Sequence, residues 1–314
     1  MIAAQSGASS NGPTPARGPS SPLALQLSRL LKPGLTGLVV FTTGAGYLLG
    51  DLLYERSTLF ELSGLLALVT SAVGTTLTAA GASVFNQIIE RGQDRLMNRT
   101  RLRPLATGEF STARGLQLGL GLSVLGLAII WLGSNALAAA LAAASLLIYA
   151  LIYTPLKRRL TLNTLVGAVP GALPPLIGWA AARNALEPGG WFLFTLLFVW
   201  QIPHFLAIAW MYREDYARGG FQMLPVVDET GQHTSRMALL YALALLPISW
   251  AAPLLRLTGW VYWIGATALG LYFIATAFAL HREPSFRAAR RLFLASVIYL
   301  PSVLVLMILD GTQF

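Results

Sequence analysis

The sequence contains no cysteine and little charge, and each of these gaps excludes a class of protein. Without cysteine, disulfide bonds and thiolate metal sites are excluded. Only 11% of the 314 residues are charged, against roughly 25% in a typical soluble domain. In contrast, 55% of the residues are hydrophobic and the mean hydropathy is +0.63. This composition excludes an ordinary soluble domain and indicates an integral membrane protein.

Long apolar runs fill most of the chain. A membrane-spanning helix needs about 20 apolar residues, and by that measure the sequence has nine candidate spans. They lie near residues 34–50, 62–85, 115–134, 136–154, 162–182, 191–210, 237–255, 258–280 and 292–309. Because each spanning helix satisfies its own backbone hydrogen bonds, we predict an all-α integral membrane protein, a bundle of about nine transmembrane helices.

The N-terminal segment differs from the rest of the chain. Residues 1–22 are rich in Ser, Gly and Pro, which is typical of disorder, and they lack the apolar stretch of a signal peptide. We therefore expect a disordered cytoplasmic tail over residues 1–28 and a single transmembrane domain over residues 29–314.

Basic residues are distributed unequally between the two ends of the predicted spans. Nineteen of the 22 Lys and Arg residues, including Arg17, lie on one side, and only Arg56, Arg183 and Arg256 lie on the other. The positive-inside rule then predicts a cytoplasmic N-terminus and an external C-terminus. The net charge of +9 is explained by these loops, so we expect membrane lipid and no nucleic acid among the partners.

Polar residues that could bind a metal ion or a substrate begin at the basic end of the second span. Asn86, Glu90 and Asp94, named here the acidic row, are four residues apart and share one helix face. Two carboxylates and an amide oxygen in a row suit Mg²⁺, which prefers oxygen ligands and commonly bridges to substrate phosphates. A solvated helix end is the alternative, because surface exposure is the ordinary fate of Asp and Glu.

Arginines follow the acidic row directly. Arg99, Arg101 and Arg103 lie just beyond it, and arginine forks suit phosphate oxygens. The positive-inside rule alone would place arginines in this loop, but it does not require acids beside them. The combination favours a diphosphate pocket.

Two more polar runs lie on the same side of the membrane. One is the basic turn YTPLKRR at 153–159, and the other pairs acids with arginines at 212–218, after the sixth span. Three loops on one face of a bundle can converge over a cavity between helices, so we expect them to form one site.

These motifs resemble a known family. The run NQIIERGQDRLMNRTRLRPL at 86–105 resembles the first acidic motif of the UbiA-type intramembrane prenyltransferases. Met97, Arg99-Thr100 and Arg103-Pro104-Leu105 are similar to its haem O synthase (protohaem IX farnesyltransferase) branch. YTPLKRR, NTLVGAVPGALPPLIGWAA at 163–181 and WQIPHFLAIAWMYREDYARGGFQMLPV at 200–226 resemble the same branch. The resemblance extends over roughly residues 30–310.

The resemblance implies a UbiA-type prenyltransferase fold with a lipid-accessible cavity in a bacterial cell membrane. The implied reaction transfers a farnesyl group from farnesyl diphosphate to a vinyl group of haem b and gives haem O for terminal oxidases. Two Mg²⁺ ions are the implied cofactors, and haem b is a substrate rather than a prosthetic group. Haem A synthase or a terminal-oxidase assembly factor is the implied protein partner.

Residue roles follow from the resemblance. The implied catalytic and metal-binding residues are Asn86, Glu90 and Asp94 for one Mg²⁺ and Asp215 for the second. The implied substrate-binding residues are Arg99, Arg103, Lys157 and Arg158, which would neutralise the leaving diphosphate, and Tyr153, Gln201, His204, Arg213 and Glu214.

His204 stands out because it is a histidine well inside a predicted span. An intramembrane histidine is costly and marks a functional site by default, so contact with haem, through the iron or a propionate, is one interpretation. A hydrogen bond between helices is the other, next to a kink at Pro203.

The sequence departs from the superfamily pattern at two points. Glu90 stands where Asp is usual, which lengthens the reach of the carboxylate. In the second run, Met211 and Gly219 flank Asp215 where Asp-x-x-x-Asp would need another acid. The adjacent Glu214 and Asp215 cannot share a helix face, so the motif for a second metal ion is incomplete in this run.

Two other functions compete with this interpretation. A prenyltransferase of the same fold could use a quinone-precursor or chlorophyll-type acceptor, although the runs at 97–105 and 200–205 favour haem. A transporter or channel would need buried charges near the membrane midplane, whereas the predicted spans carry almost none, and this favours an enzyme.

Overall fold

The computed structural model describes residues 22–52 and 57–311 of the protein. Residues 1–21 of the predicted tail, with Arg17, and Arg56 on the opposite side lie outside the described residues. The described helices are α1 Leu23–Leu31, α2 Pro33–Leu52, α3 Leu62–Asp94, α4 Pro104–Thr107, α5 Thr112–Gly133, α6 Ala136–Leu147, a π-helix Ile148–Tyr153, α7 Thr154–Leu156, α8 Asn163–Arg183, α9 Pro188–Met211, α10 Arg213–Arg218, α11 Leu224–Val227, α12 Gln232–Leu254, α13 Trp260–Arg282 and α14 Phe286–Asp310.

The described helices confirm a multi-pass membrane protein. Seven of them are long and apolar enough to cross a membrane, and α6 with the π-helix and α7 forms an eighth span over Ala136–Leu156. Helices α1 and α2 together form a ninth candidate that is bent by 50°. The predicted all-α bundle of about nine spans is therefore confirmed within the described residues, with the first span as the irregular one.

The boundary that we predict for the disordered tail is wrong for its last residues. Residues 23–28 belong to α1, which begins at Leu23. Leucines recur along this segment at helical spacing, and Leu30 is fully buried against Val84 and Leu105. Burial of this apolar stripe provides the free energy that orders the helix, so the folded domain starts earlier than the composition of residues 1–22 indicates.

Helix α3 is longer than the membrane is thick. Its 33 residues span about 50 Å at 1.5 Å per residue, against a hydrocarbon thickness of about 30 Å. The apolar part ends at Ile89, and the helix continues to Asp94. The acidic row therefore lies where α3 emerges at the basic face of the bundle.

Helix α8 lies at the centre and packs against α2, α6 and α9. Glycine allows α2 and α8 to touch through their backbones, since a Cβ on Gly178 would lie 1.9 Å from the carbonyl oxygen of Thr43. Gly171, earlier on α8, lines a cavity instead, and a Cβ on it would meet the side-chain oxygen of Gln201. Close packing and a cavity thus both occur along the glycine-rich run at 163–181.

Candidate functional site

The C-terminal end of α1 brings Lys32 to the acidic row. Ser83 and Gln87 of α3 donate hydrogen bonds to the carbonyl oxygen of Leu30 at 3.1 Å and 2.9 Å. These bonds satisfy a carbonyl that a helix end leaves without an intrahelical partner. Lys32 follows in the left-handed conformation, with φ of 50°, and its Nζ lies 3.5 Å from Oδ1 of Asn86.

The three members of the acidic row are buried and each faces a basic side chain. Oε1 of Glu90 accepts a bond from Nζ of Lys157 at 2.8 Å. Both carboxylate oxygens of Asp94 accept from Nη1 of Arg103 at 2.8 Å. Since Glu90 and Asp94 are 4% and 0% exposed, a solvated helix end is excluded as the explanation of the row.

Burial and charge shift the pKa values of these groups. Burial raises the pKa of Asp94, and the charge of Glu90 adds to this effect, although Arg103 opposes it. Burial alone would lower the pKa of Lys157, but the Glu90 carboxylate together with Tyr153 and Tyr149 outweighs burial and raises the pKa. Lys157 therefore stays protonated over the whole physiological range, as a residue that holds an anionic group must.

A π-helix places Tyr153 and Thr154 beside the row. Pro155 has no backbone N–H and disfavours a regular α-helix on its N-terminal side, and the backbone N–H of Thr154 bonds to the carbonyl of Tyr149, five residues earlier. Oγ1 of Thr154 accepts from Nδ2 of Asn86 at 3.3 Å. Nζ of Lys157 then lies 4.5 Å from the ring centroid of Tyr153, a cation–π contact.

Asp215 forms hydrogen bonds with the loop that follows the acidic row, at Asn98 and Arg99, and does not join the row itself. Its two oxygens accept from the backbone N–H groups of Asn98 and Arg99 at 3.1 Å and 3.2 Å, and from Arg218. Burial raises its pKa, but these hydrogen bonds outweigh burial and keep the pKa below its usual range. The carboxylate therefore connects two loops that are far apart in sequence.

Four predicted binding residues lie away from the row. Arg99 is exposed and lies over the rings of Tyr212 and Tyr216, at 5.3 Å and 5.7 Å. Arg158 and Glu214 are exposed, and Arg213 lies 4.2 Å from the ring of Trp210. Among the described residues, the acidic row is thus contacted by Lys32, Arg103 and Lys157 alone of the basic side chains.

An apolar cavity of about 290 Å³ opens below the acidic row. It lies between α2, α3, α6, the π-helix, α8 and α9. Tyr153, Gln201 and His204 line it, together with Tyr149, Thr75, Ala79, Ile177 and Leu197 among others. Gln201 is anchored by its Nε2, which donates to the carbonyl of Ala168 at 2.8 Å.

The structure supports the helix-bridging interpretation of His204, and contact with haem stays a prediction. Its Nδ1 lies 2.7 Å from Oγ of Ser296 on α14, so it does bond between helices. The Ser296 hydroxyl donates its proton to the carbonyl of Phe293 at 2.5 Å, because a carbonyl can only accept. In the bond to His204 the hydroxyl oxygen is therefore the acceptor, and Nδ1 carries the proton. This tautomer leaves the lone pair of Nε2 for a ligand in the cavity.

The residues of the acidic row fit a Mg²⁺ ion that arrives with a phosphate group. Among the described residues, no three His, Cys, Asp or Glu side chains come together as a metal site. The row instead offers two carboxylates and one amide oxygen, and Mg²⁺ usually takes its remaining ligands from water and substrate phosphates. Lys32, Arg103 and Lys157 outnumber the two carboxylates, so the site has room for further negative charge.

Sequence reasoning missed Lys32 and Thr154 as members of the site. Lys32 carries one signal, a basic residue directly before the first transmembrane helix, but the positive-inside rule already explains that position. Thr154 lies inside the YTPLKRR motif, and only the bond to Asn86 distinguishes it from a helix-capping residue.

Residues 39–299 match the UbiA prenyltransferase family. A protein named protoheme IX farnesyltransferase from Solibacter usitatus (strain Ellin6076) is 44% identical over 284 residues, which cover 90% of this chain and 97% of that protein.

Two solved structures share the fold. A digeranylgeranylglyceryl phosphate synthase superposes with a TM-score of 0.73 at 19% identity, over 93% of this chain and 99% of the other. A UbiA homologue from Archaeoglobus fulgidus, solved with GPP and Mg²⁺, has a TM-score of 0.57 at 14% identity, over 90% and 99%.

Proposed function

The chain belongs to the UbiA prenyltransferase family, and we propose that it transfers the farnesyl group of farnesyl diphosphate to a vinyl group of haem b. The products are haem O and diphosphate. One observation carries the proposal: the buried acidic row and its three basic partners lie directly above an apolar cavity. The naming of the Solibacter usitatus relative supports haem b as the acceptor.

The basic side chains bind and neutralise the diphosphate. Arg103 and Lys157 hold acidic side chains at 2.8 Å in this structure, and both would be available to phosphate oxygens where those carboxylates hold a Mg²⁺ ion. When bound, Mg²⁺ supplies charge neutralisation on the diphosphate. Asn86, Glu90 and Asp94 would hold the ion, and Arg103, Lys157 and Lys32 stabilise the negative charge that grows as the C1–O bond breaks.

The cavity protects the allylic cation that this bond cleavage leaves. Its lining is mainly apolar, so water is kept from the cation until the vinyl carbon of haem b attacks C1. One carbon–carbon bond forms, and water then adds to the porphyrin-side cation and releases a proton. The reaction balances as haem b, farnesyl diphosphate and water to haem O and diphosphate.

His204 is the proposed contact for haem iron, through the free lone pair of Nε2. The His204→Ala variant should bind haem b at least about tenfold more weakly and shift the Soret band of the bound haem, while farnesyl diphosphate binding is retained. Titration of haem into the purified variant measures both effects. An unchanged Soret spectrum with unchanged affinity would leave His204 with its helix-bridging bond as its only role, and Ser296→Ala is the matched control for that bond.

A second Mg²⁺ at Asp215, expected from the resemblance, lacks the same support. Both oxygens of Asp215 already accept bonds from the loop that carries Arg99, and Glu214 beside it is exposed. We propose one ion at the acidic row and a positioning role for Asp215. Counting Mg²⁺ in the complex with an unreactive farnesyl diphosphate analogue separates one ion from two.

The enzyme is proposed to lie in a bacterial cell membrane with its acidic row on the cytoplasmic side. The unequal distribution of Lys and Arg supports this orientation, and haem A synthase or an oxidase assembly factor would then receive haem O in the same membrane.

Product analysis tests the function directly. Purified protein in detergent or lipid, supplied with haem b, farnesyl diphosphate and Mg²⁺, should form haem O, and chelation with EDTA should stop the reaction until Mg²⁺ is restored. Mass spectrometry of the extracted porphyrin is the measurement. Formation of prenylated 4-hydroxybenzoate, with no haem O under any metal condition, would replace haem by a quinone precursor as the acceptor.

A further inference from the structure

We propose that the floor of the cavity, formed by Thr75, Ile177 and Leu197, limits the prenyl chain to three isoprene units. This inference rests on the proposed function, because it concerns the donor substrate of that reaction. The floor lies at the end of the cavity farthest from the acidic row, and its position follows from the helices that carry it.

The depth of the cavity can be measured along α3. Thr75 precedes Asn86 by eleven residues, which corresponds to about 16 Å at 1.5 Å per residue. Helix α8 gives the same depth. Gly167 lies level with Tyr153, since a Cβ on it would be 2.5 Å from the tyrosine ring, and Ile177 lies ten residues, about 15 Å, below it. The two helices therefore place the floor at one level.

This depth matches a farnesyl group. Its main chain has twelve carbons, and with bonds of roughly 1.5 Å in a zigzag it extends on the order of 14–15 Å. Each isoprene unit adds four main-chain carbons, or about 5 Å, which is close to one turn of a helix. A geranyl group would end about one turn above the floor, near Ala79, and a geranylgeranyl group would need one turn more than the cavity has.

Packed side chains form the floor and continue below it. Ile177 is fully buried and Leu197 is 2% exposed. Ile177 belongs to a buried cluster with Tyr47 and Ile130. One turn beyond Thr75, Ser71 is fully buried and its hydroxyl bonds to the carbonyl of Leu68 at 3.0 Å. A fourth isoprene unit that continues in the direction of α3 and α8 would have to displace this packing.

Two variants should move the chain-length preference in opposite directions. In Ala79→Leu the added side chain fills the cavity above the floor, and the preference for geranyl over farnesyl should rise about tenfold or more, as expected for a few carbons in an apolar pocket. In Leu197→Ala the floor is lowered, and the preference for geranylgeranyl over farnesyl should rise by a similar factor. Val73→Phe adds bulk to the exposed side of α3 and should leave both ratios unchanged.

Competition binding of geranyl, farnesyl and geranylgeranyl thiolodiphosphates, with Mg²⁺ and without haem, measures these ratios. Mass spectrometry of prenylated haem from mixed diphosphates measures them again in turnover. Ratios that stay at the wild-type value in both folded variants would overturn the floor. If wild type makes no prenylated haem with any donor, the proposed function fails, and the binding ratios still decide whether the floor selects chain length.

Discussion

Asp94→Asn should abolish farnesyl transfer in a protein that still folds. Asparagine keeps the size of the side chain and an acceptor for Arg103, but it removes the charge that the proposed Mg²⁺ site needs at this position. Loss of one preorganised electrostatic contact to the transition state typically costs about 10²–10³-fold in turnover, and the expected fall is at least of that size. Haem O formation per folded molecule, with farnesyl diphosphate and Mg²⁺ saturating, is the measurement.

A second buried carboxylate provides the control for Asp94. Asp310 lies at the other end of the bundle, is 5% exposed, and accepts from the backbone N–H of Tyr262 at 2.8 Å. Asp310→Asn should lower stability without lowering turnover of the folded fraction. Normal haem O formation by Asp94→Asn, or equal losses in the two variants, would remove the metal role from the acidic row.

Lys157→Met should reduce turnover by about 10²-fold or more. Methionine keeps a long, flexible apolar side chain, but the charge that would stabilise the leaving diphosphate is lost. Lys157→Arg should recover part of the activity, because a positive charge stays near Glu90 and the ring of Tyr153. Single-turnover formation of haem O from bound substrates separates this effect on chemistry from an effect on binding.

Removal of Lys157 also leaves Glu90 buried without its partner, which destabilises a protein by itself. The double variant Lys157→Met with Glu90→Gln removes both charges and should recover the lost stability, while turnover stays low. Recovery of turnover in the double variant would show that Lys157 serves only to neutralise Glu90. Lys32→Met is a milder comparison, with a smaller expected loss because its contact with Asn86 is long, at 3.5 Å.

The fold was largely predictable because its signals are local. A run of about 20 apolar residues is a span wherever it lies in the chain, and residues four apart share a helix face. The nine spans and the acidic row of Asn86, Glu90 and Asp94 follow from these rules. The chemistry of the row stays a prediction, made because two carboxylates beside arginines suit a metal and a phosphate group.

Local rules were less informative about the segments outside the spans. The composition of residues 1–22 suggested disorder as far as residue 28, but α1 is ordered from Leu23 by leucines that bury against α3 and α4. The π-helix before Thr154 depends on how Pro155 is accommodated, and a proline at this place can also simply end a helix.

By itself, the sequence determined an all-α membrane bundle, the face that carries its charge, and the acidic row on one helix. Only the tertiary structure decided which basic residues reach that row. Lys32 lies 54 residues before its partner Asn86 in the sequence, and Lys157 lies 67 residues after its partner Glu90. Arg99 and Arg158, which the motifs favoured, lie outside, and Asp215 bonds to a backbone 117 residues distant. The physical reason is the distance along the sequence over which each feature is determined. Apolar runs and helical spacing are properties of neighbouring residues, whereas the partner of a buried charge depends on which helices pack together.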